Sequence, residues 1–159
     1  MTEVAPSELK KAVESQHGGR ATYVQSVPVH EEHNGQVVWD GAVAIFDTNG
    51  NFIREAVAVG TPQLNLPWGV AIAPAGFGSF ANDLLIGNFG DGTINAFDPA
   101  SGQSLGTINL SNGTTFVQPG LWGIAFGNGL DNQPTNTLFF AAGPNDEANG
   151  VYGRIDVKM

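Results

Sequence analysis

The spacing of hydrophobic positions changes near residue 20. Before that point, Leu9 and Val13 fall four residues apart on one helical face, ahead of a Gly-Gly stop signal. We therefore predict a short helix over about residues 8–17. From there on, short runs of β-branched and aromatic residues alternate with turns rich in Gly, Asn, Asp and Pro, a pattern typical of β-strands. The chain thus divides into an N-terminal segment, residues 1–20, and an all-β body, residues 21–159.

The β body contains an internal repeat. Trp68 and Trp122 lie in two similar apolar segments that are 54 residues apart, and Asn82 and Asn136 begin a second matching pair at the same separation. A third segment, in which a short apolar run leads from a glycine to an aspartate, occurs three times. Its copies end at Asp47, Asp98 and Asp156. Independent segments that share one period indicate stacked structural repeats.

Each repeat is predicted to form four short antiparallel strands, a to d, which together are typical of a propeller blade. Strand a contains the repeated tryptophan, strand b is the next apolar run, strand c ends at the aspartate, and strand d follows the next turn. In the first repeat, residues 21–27 form strand b and residues 28–40 form a long connection to strand c. The predicted order is b-c-d, a-b-c-d, a-b-c, or about two and three-quarter blades.

A partial propeller of this size would leave two open edges, because propellers close with typically about 4–8 blades. Exposed apolar edges favour aggregation unless they are paired or covered. We therefore expect self-association, in which a homodimer about a two-fold axis would contain about six blades. The alternative is that the chain is a piece of a longer propeller.

Composition narrows the range of partners. The 159-residue, 16.6 kDa chain has 6 Lys+Arg against 15 Asp+Glu, which gives a formal net charge of −9. Nucleic-acid binding needs clustered cations, and after residue 20 only Arg54, Arg154 and Lys158 remain. No stretch approaches the ~20 apolar residues of a membrane span, so neither nucleic acid nor membrane insertion is expected. There is no Cys, and hence no disulfide or thiolate-bound zinc.

Four strings of residues point to a family. They are APAGFG at 73–78, GNFGDG at 87–92, FDP at 97–99 and AGPNDEA at 142–148. Through them, residues 21–155 closely resemble a family of mostly exported bacterial propeller proteins without an established activity, some of which carry a PEP-CTERM sorting tail.

The resemblance implies a six-bladed propeller similar to NHL-type propellers, and an extracytoplasmic location, secreted or periplasmic. Members of the family are typically longer and begin with an export signal. This chain resembles their C-terminal half, and no signal peptide is recognised in it. Because the family has no established catalytic residues, none is assigned to this chain.

Two histidines form the first candidate metal site. His30 and His33 flank two glutamates in residues 29–34, and imidazole with carboxylate suits zinc. The spacing is not that of the H-E-x-x-H motif, and a solvated loop is the main interpretation.

A second candidate site lies in the loops between strands b and c of the last two repeats. Its members are Asn88, Asp91, Asn145, Asp146 and Glu147. If equivalent loops share one face, these hard oxygen ligands converge in a way that suits Ca²⁺. The alternative is that they satisfy the backbone of their own turns.

The three tryptophans are candidates for stacking against a sugar. Trp68 and Trp122 recur in phase with the repeat, which favours a packing role. Trp39 lies outside the repeat and is the better ligand candidate, although edge packing is the main interpretation for it too.

The leading functional hypothesis is a non-enzymatic binding or scaffold module of unknown ligand, completed by self-association. There is no G-x-S-x-G context and no recognisable triad. The first alternative is a calcium-dependent propeller hydrolase with an axial metal site. The second is a lectin-like propeller that binds a glycan or another small ligand.

Overall fold

The structure, a computed structural model, describes residues 11–14, 21–33, 36–47 and 49–158, with only the backbone before Gly41. In these residues the chain is all-β, as predicted, with eleven strands and one short 3-10 helix. The strands are β1 (Lys11–Glu14), β2 (Ala21–His33), β3 (Gln36–Phe46), β4 (Phe52–Val57), β5 (Pro67–Ile72), β6 (Leu84–Asn88), β7 (Ile94–Phe97), β8 (Ser104–Thr107), β9 (Leu121–Phe126), β10 (Leu138–Ala142) and β11 (Val151–Ile155), and the helix is Gly78–Phe80. No helix in the described part is long and apolar enough to cross a membrane.

The strands form three antiparallel sheets. Sheet 1 has the order β1-β2-β3-β4, sheet 2 the order β5-β6-β7-β8, and sheet 3 the order β9-β10-β11. Each strand therefore pairs with the strand before it in the same sheet. The strands of sheets 2 and 3 lie where the repeat predicts them. Strands a to d of the middle repeat are β5 to β8, and strands a to c of the last repeat are β9 to β11, so both sets are confirmed.

Sheet 2 lies between the other two sheets and is buried on both faces. Every residue of β6 and β7 is buried. Leu85 and Ile94 belong to the core shared with sheet 3, while Leu84 and Ile86 belong to the core shared with sheet 1. Successive residues of a strand point to opposite faces, so a strand that is covered on both sides needs a continuous apolar run. The sequence of β6 has such a run.

Sheets 2 and 3 approach most closely where β5 passes β9. A Cβ atom at Gly69 would lie 2.7 Å from the carbonyl oxygen of Trp122 and 2.8 Å from the amide nitrogen of Ile124. Side chains do not reach such distances, so a glycine is required here by space and not by an unusual φ angle. Gly69 thus allows the inner strands of two sheets to pack backbone against backbone.

The helix predicted for residues 8–17 is wrong over the part that the structure describes. Lys11–Glu14 form β1, which pairs antiparallel with β2 from Lys11 opposite Val24 to Glu14 opposite Ala21. A helix this short is marginal in water, whereas the edge of β2 offers backbone N–H and C=O groups for pairing. The rest of the predicted helix lies outside the described residues. The first sheet consequently has four strands and not the predicted b-c-d.

The long connection predicted for residues 28–40 is also wrong. β2 continues to His33 and β3 begins at Gln36, so the two strands extend as one hairpin in which these residues are partners. The pairing shifts register between Gln25 and Val29, a stretch that contains Pro28, which has no N–H for the ladder. The polar residues after Pro28 resemble a loop in sequence, yet they form strands because backbone pairing does not require apolar side chains.

Candidate functional site

The β6–β7 loop (residues 89–93) and the β10–β11 loop (residues 143–150) occupy equivalent repeat positions in neighbouring sheets. The Phe89 amide donates to the carbonyl oxygen of Leu66 at 2.9 Å, and the Gly143 amide donates to that of Gly120 at 2.8 Å. Each loop is therefore tied to the residue that precedes the first strand of its own sheet. This shared bond places the two loops at the same end of sheets 2 and 3.

The β10–β11 loop contains a turn of left-handed backbone. Asn145, Asp146 and Glu147 have φ angles of 58°, 51° and 66°. The Asn145 side chain braces the turn, since its Nδ2 donates to Oδ1 of Asn149 at 2.8 Å. Left-handed backbone costs a non-glycine residue roughly 1–2 kcal/mol, with Asn and Asp the most tolerant types. Such conformations cluster at ligand clamps and active sites, where the surrounding structure holds them.

A cavity of about 490 Å³ opens beside this left-handed turn. Its walls come from the β6–β7 loop, from the residues before β9 and from the β10–β11 loop. The lining residues are Phe89, Pro119, Gly120, Gly143, Pro144, Asn145, Asp146 and Glu147. The aromatic ring and the two prolines supply apolar surface, while the amide and two carboxylates supply hydrogen-bonding groups. This combination suits a polar ligand with hydroxyl groups, or a cation, better than an anion.

Two of the predicted ligand residues hold the loops in place. Asn88 is fully buried, its Oδ1 accepts from the Asn65 amide at 3.2 Å, and its Nδ2 donates to the Gln63 carbonyl at 2.9 Å and to Thr93 Oγ1 at 3.2 Å. Asp91 Oδ1 accepts from the Thr93 amide at 2.9 Å and from its hydroxyl at 2.7 Å. Neither residue lines the cavity. Their contacts are those expected of turn residues.

Trp68 and Trp122 pack against the residues that begin these loops. Trp68 is 37% exposed, and the centroid of its ring lies 6.2 Å from that of Phe89. At the equivalent place in sheet 3, a Cβ on Gly143 would lie 3.0 Å from Cζ2 of Trp122. The repeated tryptophans thus support the loops around the cavity. Trp39 lies in β3, and its side chain is outside the described part.

The candidate metal ligands are spread over two regions. His30 and His33 lie in β2, not in a loop. Asp146 and Glu147 are adjacent on the cavity wall, but among the described residues no three His, Cys, Asp or Glu side chains come together in a way that could hold a metal ion. The zinc and calcium assignments stay predictions.

Three other carboxylates have shifted pKa values, at the end of the sheets away from the cavity. Hydrogen bonds from the Asn51 side chain and amide lower the pKa of Asp47, and those from the amide and hydroxyl of Ser101 lower the pKa of Asp98. Burial, and then the charge of Asp98, raise the pKa of Asp83. Asp47 and Asp98 directly follow equivalent strands, β3 and β7, so their shifts belong to the turns and not to the cavity.

Sequence reasoning missed Phe89 and Pro119 as cavity residues. Phe89 stands 54 residues before Gly143, so one repeat has an aromatic ring where the next has a glycine. This difference between two loops that otherwise match was the sequence signal that could have identified Phe89, because two repeats that together form one site contribute different residues to it.

Comparisons with known proteins find relatives of unknown activity. No family model matches the chain. One uncharacterized protein of Acanthamoeba polyphaga mimivirus is 34% identical over 115 residues, which are 72% of this chain and 27% of that protein. Another from the same virus is 31% identical over 115 residues, or 72% and 29% of the two chains. The chain therefore spans less than a third of the relatives' length, and its resemblance to exported bacterial propellers stays a prediction.

Proposed function

We propose that this chain is a β-propeller module that binds a ligand without chemically converting it. Support for the propeller comes from the packing of sheet 2 against sheet 1 on one face and against sheet 3 on the other, with the inner strands β5 and β9 in close backbone contact. On this account the cavity at the end of sheets 2 and 3 is the binding site, and the sheets are the frame that holds its loops.

The observation that carries the proposal is the left-handed turn on the cavity wall. Asn145, Asp146 and Glu147 are exposed, so apolar burial of their side chains does not offset the backbone strain. The turn nevertheless places an amide and two carboxylates beside Phe89. Strained backbone of this kind clusters at ligand clamps and active sites, and its place on a cavity wall supports a binding role for this turn.

The ligand class follows from the chemistry of the lining. Carboxylate and amide oxygens accept hydrogen bonds from hydroxyl groups, and an aromatic ring offers an apolar face against which a pyranose ring can pack. The cavity has about 490 Å³, within the range of small-ligand sites. A saccharide is therefore the proposed ligand, in line with the lectin alternative from the sequence.

A glycan array tests this proposal with matched variants of the full chain. Asp146→Asn with Glu147→Gln keeps the size of both side chains and removes their charges, and we expect it to abolish the binding seen with the parent chain. The control is Asp131→Asn, because Asp131 is also exposed and left-handed, with φ 47°, but lies in the β9–β10 loop at the opposite end of sheet 3. A blank array for the parent chain, or equal binding by the double variant, would contradict the saccharide proposal.

A calcium-dependent hydrolase is the second candidate, favoured by the adjacent carboxylates of Asp146 and Glu147 at the cavity. Calcium that binds only the folded chain would raise its melting temperature. The hydrolase candidate therefore predicts a rise with added Ca²⁺ that EDTA reverses and that the double variant lacks. An unchanged melting temperature would count against it and leave the binding module as the better account.

A further inference from the structure

Four Asn-Gly pairs lie in the part of the chain that the structure describes, and they begin at Asn49, Asn112, Asn128 and Asn149. Asparagine before glycine is chemically labile, because the backbone nitrogen of the glycine can attack the side-chain amide carbon, and glycine has no Cβ to obstruct the approach. All four asparagines and their glycines are exposed. Exposure does not distinguish the four pairs, so the hydrogen bonds of their backbone decide between them.

In three of the pairs the glycine nitrogen is engaged in a turn. Each of these glycines is left-handed, with φ angles of 84°, 85° and 81°, and its amide donates to a backbone carbonyl oxygen. The donors and acceptors are Gly50 and Asp47 at 3.0 Å, Gly113 and Leu110 at 2.9 Å, and Gly129 and Gln133 at 2.8 Å. Such an amide must give up its hydrogen bond before its nitrogen can attack, and this loss slows the reaction.

The pair at Asn149 differs, because no hydrogen bond from the Gly150 amide is found among the described residues. Gly150 is not left-handed. It stands immediately before β11, whose first residue, Val151, is opposite Ala142. The backbone bonds of the β10–β11 loop end one residue earlier, where the Asn149 amide donates to the Pro144 carbonyl oxygen at 3.4 Å. The Gly150 nitrogen can therefore attack without first losing a partner in the described chain.

The side chain of Asn149 is also held in a suitable way. Its Oδ1 accepts from Nδ2 of Asn145 at 2.8 Å, a bond that draws electron density away from the carbon under attack. At Asn112 and Asn128 the same oxygen accepts from the backbone amide two residues further along. That bond fixes the side chain within its own turn. The Asn149 side chain is instead bonded to a residue that precedes it.

We propose that Asn149 is a site of spontaneous deamidation and that it reacts faster than the other three asparagines. The Gly150 nitrogen forms a bond to Cγ of Asn149, and Nδ2 leaves as ammonia with the proton of the glycine amide, which gives a cyclic succinimide. One water molecule then opens the ring at either carbonyl and gives aspartate or isoaspartate. Asparagine and water thus become an acid and ammonia, with no oxidation or reduction. This site does not depend on the proposed saccharide ligand.

Deamidation changes the loop that contains the left-handed turn. The new carboxyl group is ionised at neutral pH and adds one negative charge to a chain of net charge −9. Isoaspartate also lengthens the main chain by one carbon at the residue that braces Asn145. The cavity wall formed by Asn145, Asp146 and Glu147 is therefore altered by a reaction that needs only water.

Peptide mass spectrometry tests the proposal on the full folded chain during incubation in mildly alkaline buffer, which favours the deprotonated glycine nitrogen. We expect the acid to form at Asn149 about two- to tenfold faster than at each of the other three asparagines, the factor that corresponds to one hydrogen bond. Gly150→Val should stop the reaction at Asn149, because a branched side chain obstructs the approach to the nitrogen. A Cβ atom at Gly150 would meet nothing within 4 Å, so the variant should fold, and its other three pairs are the internal control.

The same incubation in urea separates the effect of structure from that of sequence. In the unfolded chain all four glycine nitrogens are free, so the four asparagines should react at similar rates. Two results would overturn the proposal. One is a folded chain in which Asn149 reacts no faster than the other three. The other is an equal lead of Asn149 in urea, because the neighbouring residues in the sequence, and not the free Gly150 amide, would then explain the ranking.

Discussion

Strands β6 and β10 occupy the same repeat positions in neighbouring sheets, yet every residue of β6 is buried while β10 alternates between buried and half-buried residues. Both strands are mostly apolar, and β10 is apolar throughout. What differs is the surroundings, since sheet 2 has a sheet on either side and sheet 3 has one on one side only within the described chain. The sequence of β10 is therefore that of a strand with two covered faces, placed where only one is covered.

The largest effect is expected at the point where the sheets touch. Gly69→Val would force the backbones of β5 and β9 apart, and we expect a loss of at least about 3 kcal/mol in the free energy of unfolding, because backbone cannot yield as a side chain can. Gly123→Val, where a Cβ atom would meet nothing within 4 Å, should change the same free energy by less than about 0.5 kcal/mol. Urea unfolding measures both. Equal losses would mean that the two glycines do not differ in the way described.

The next effect compares the two faces through side-chain removal. Leu85→Ala creates a cavity in a fully buried site and should cost about 2–5 kcal/mol at any protein concentration. Phe139→Ala removes a half-buried ring and should cost clearly less in dilute protein. Equal costs for the two variants would argue against the difference in burial between the two faces.

A smaller effect is expected from the loop amide that only sheet 2 has. Asn88→Ala leaves the Asn65 amide and the Gln63 carbonyl without their side-chain partner, and should cost about 1–3 kcal/mol. At the equivalent position sheet 3 has Ala142, so its loop needs no such amide. Asn112→Ala, an exposed turn residue bonded only to Thr114, is the control. If both variants lost the same free energy, the buried amide would not be what holds the β6–β7 loop.

The smallest expected effect is the change in the free energy of unfolding as the pH falls into the acid range. The pKa values of Asp47 and Asp98 are lowered in the folded chain by hydrogen bonds from their turns. Their stabilisation is therefore present above the unfolded pKa of about 4 and is lost as the pH falls through the folded pKa. Asp83 acts in the opposite sense, because burial raises its pKa and it favours the fold at low pH. Asp98→Asn should flatten the acid side of a stability profile, while Asp83→Asn should raise stability near neutral pH.

The dependence of stability on pH also allows sheet 3 to be compared with sheet 2. In sheet 3 the equivalent residue, Asp156, accepts from the Thr137 hydroxyl at 2.7 Å and pairs with Arg154 at 2.9 Å. Urea unfolding measured from neutral pH to below about pH 4 gives the profile of each variant. An Asp98→Asn profile that matches the parent would show that the Ser101 turn does not contribute to acid sensitivity.

The repeat made sheets 2 and 3 predictable, whereas sheet 1 was predicted only in part. Trp68 and Trp122 share a period that fixes which residues form each strand, and this information does not depend on weak local preferences. The segment around Lys11–Glu14 has no repeat partner in the sequence, so its weak helical pattern was the only local signal, and the pairing that decides its structure is revealed only by the neighbouring strand. The same reason applies to the extension of β2 to His33.

The candidate site was predicted in outline and not in detail. Equivalent loops were expected to meet, and Asn145, Asp146 and Glu147 do line one cavity with the β6–β7 loop. From that loop, however, the cavity takes Phe89, while Asn88 turns inward to bond the backbone. Sequence spacing predicts which loop forms the site and at which end of the sheet it lies. It does not predict which residue of a tight turn faces outward, because that depends on hydrogen bonds such as the one from Asn88 to the Gln63 carbonyl.

Amide hydrogen exchange, followed by mass spectrometry, tests most directly whether sheet 2 is protected on both faces and sheet 3 on only one. Local stability sets the exchange rate of each segment. The account predicts that peptides from β6 and β7 exchange slowly, whereas peptides from β9 to β11 exchange faster. Peptides from β9 to β11 that are as protected as those from β6 and β7 would contradict it.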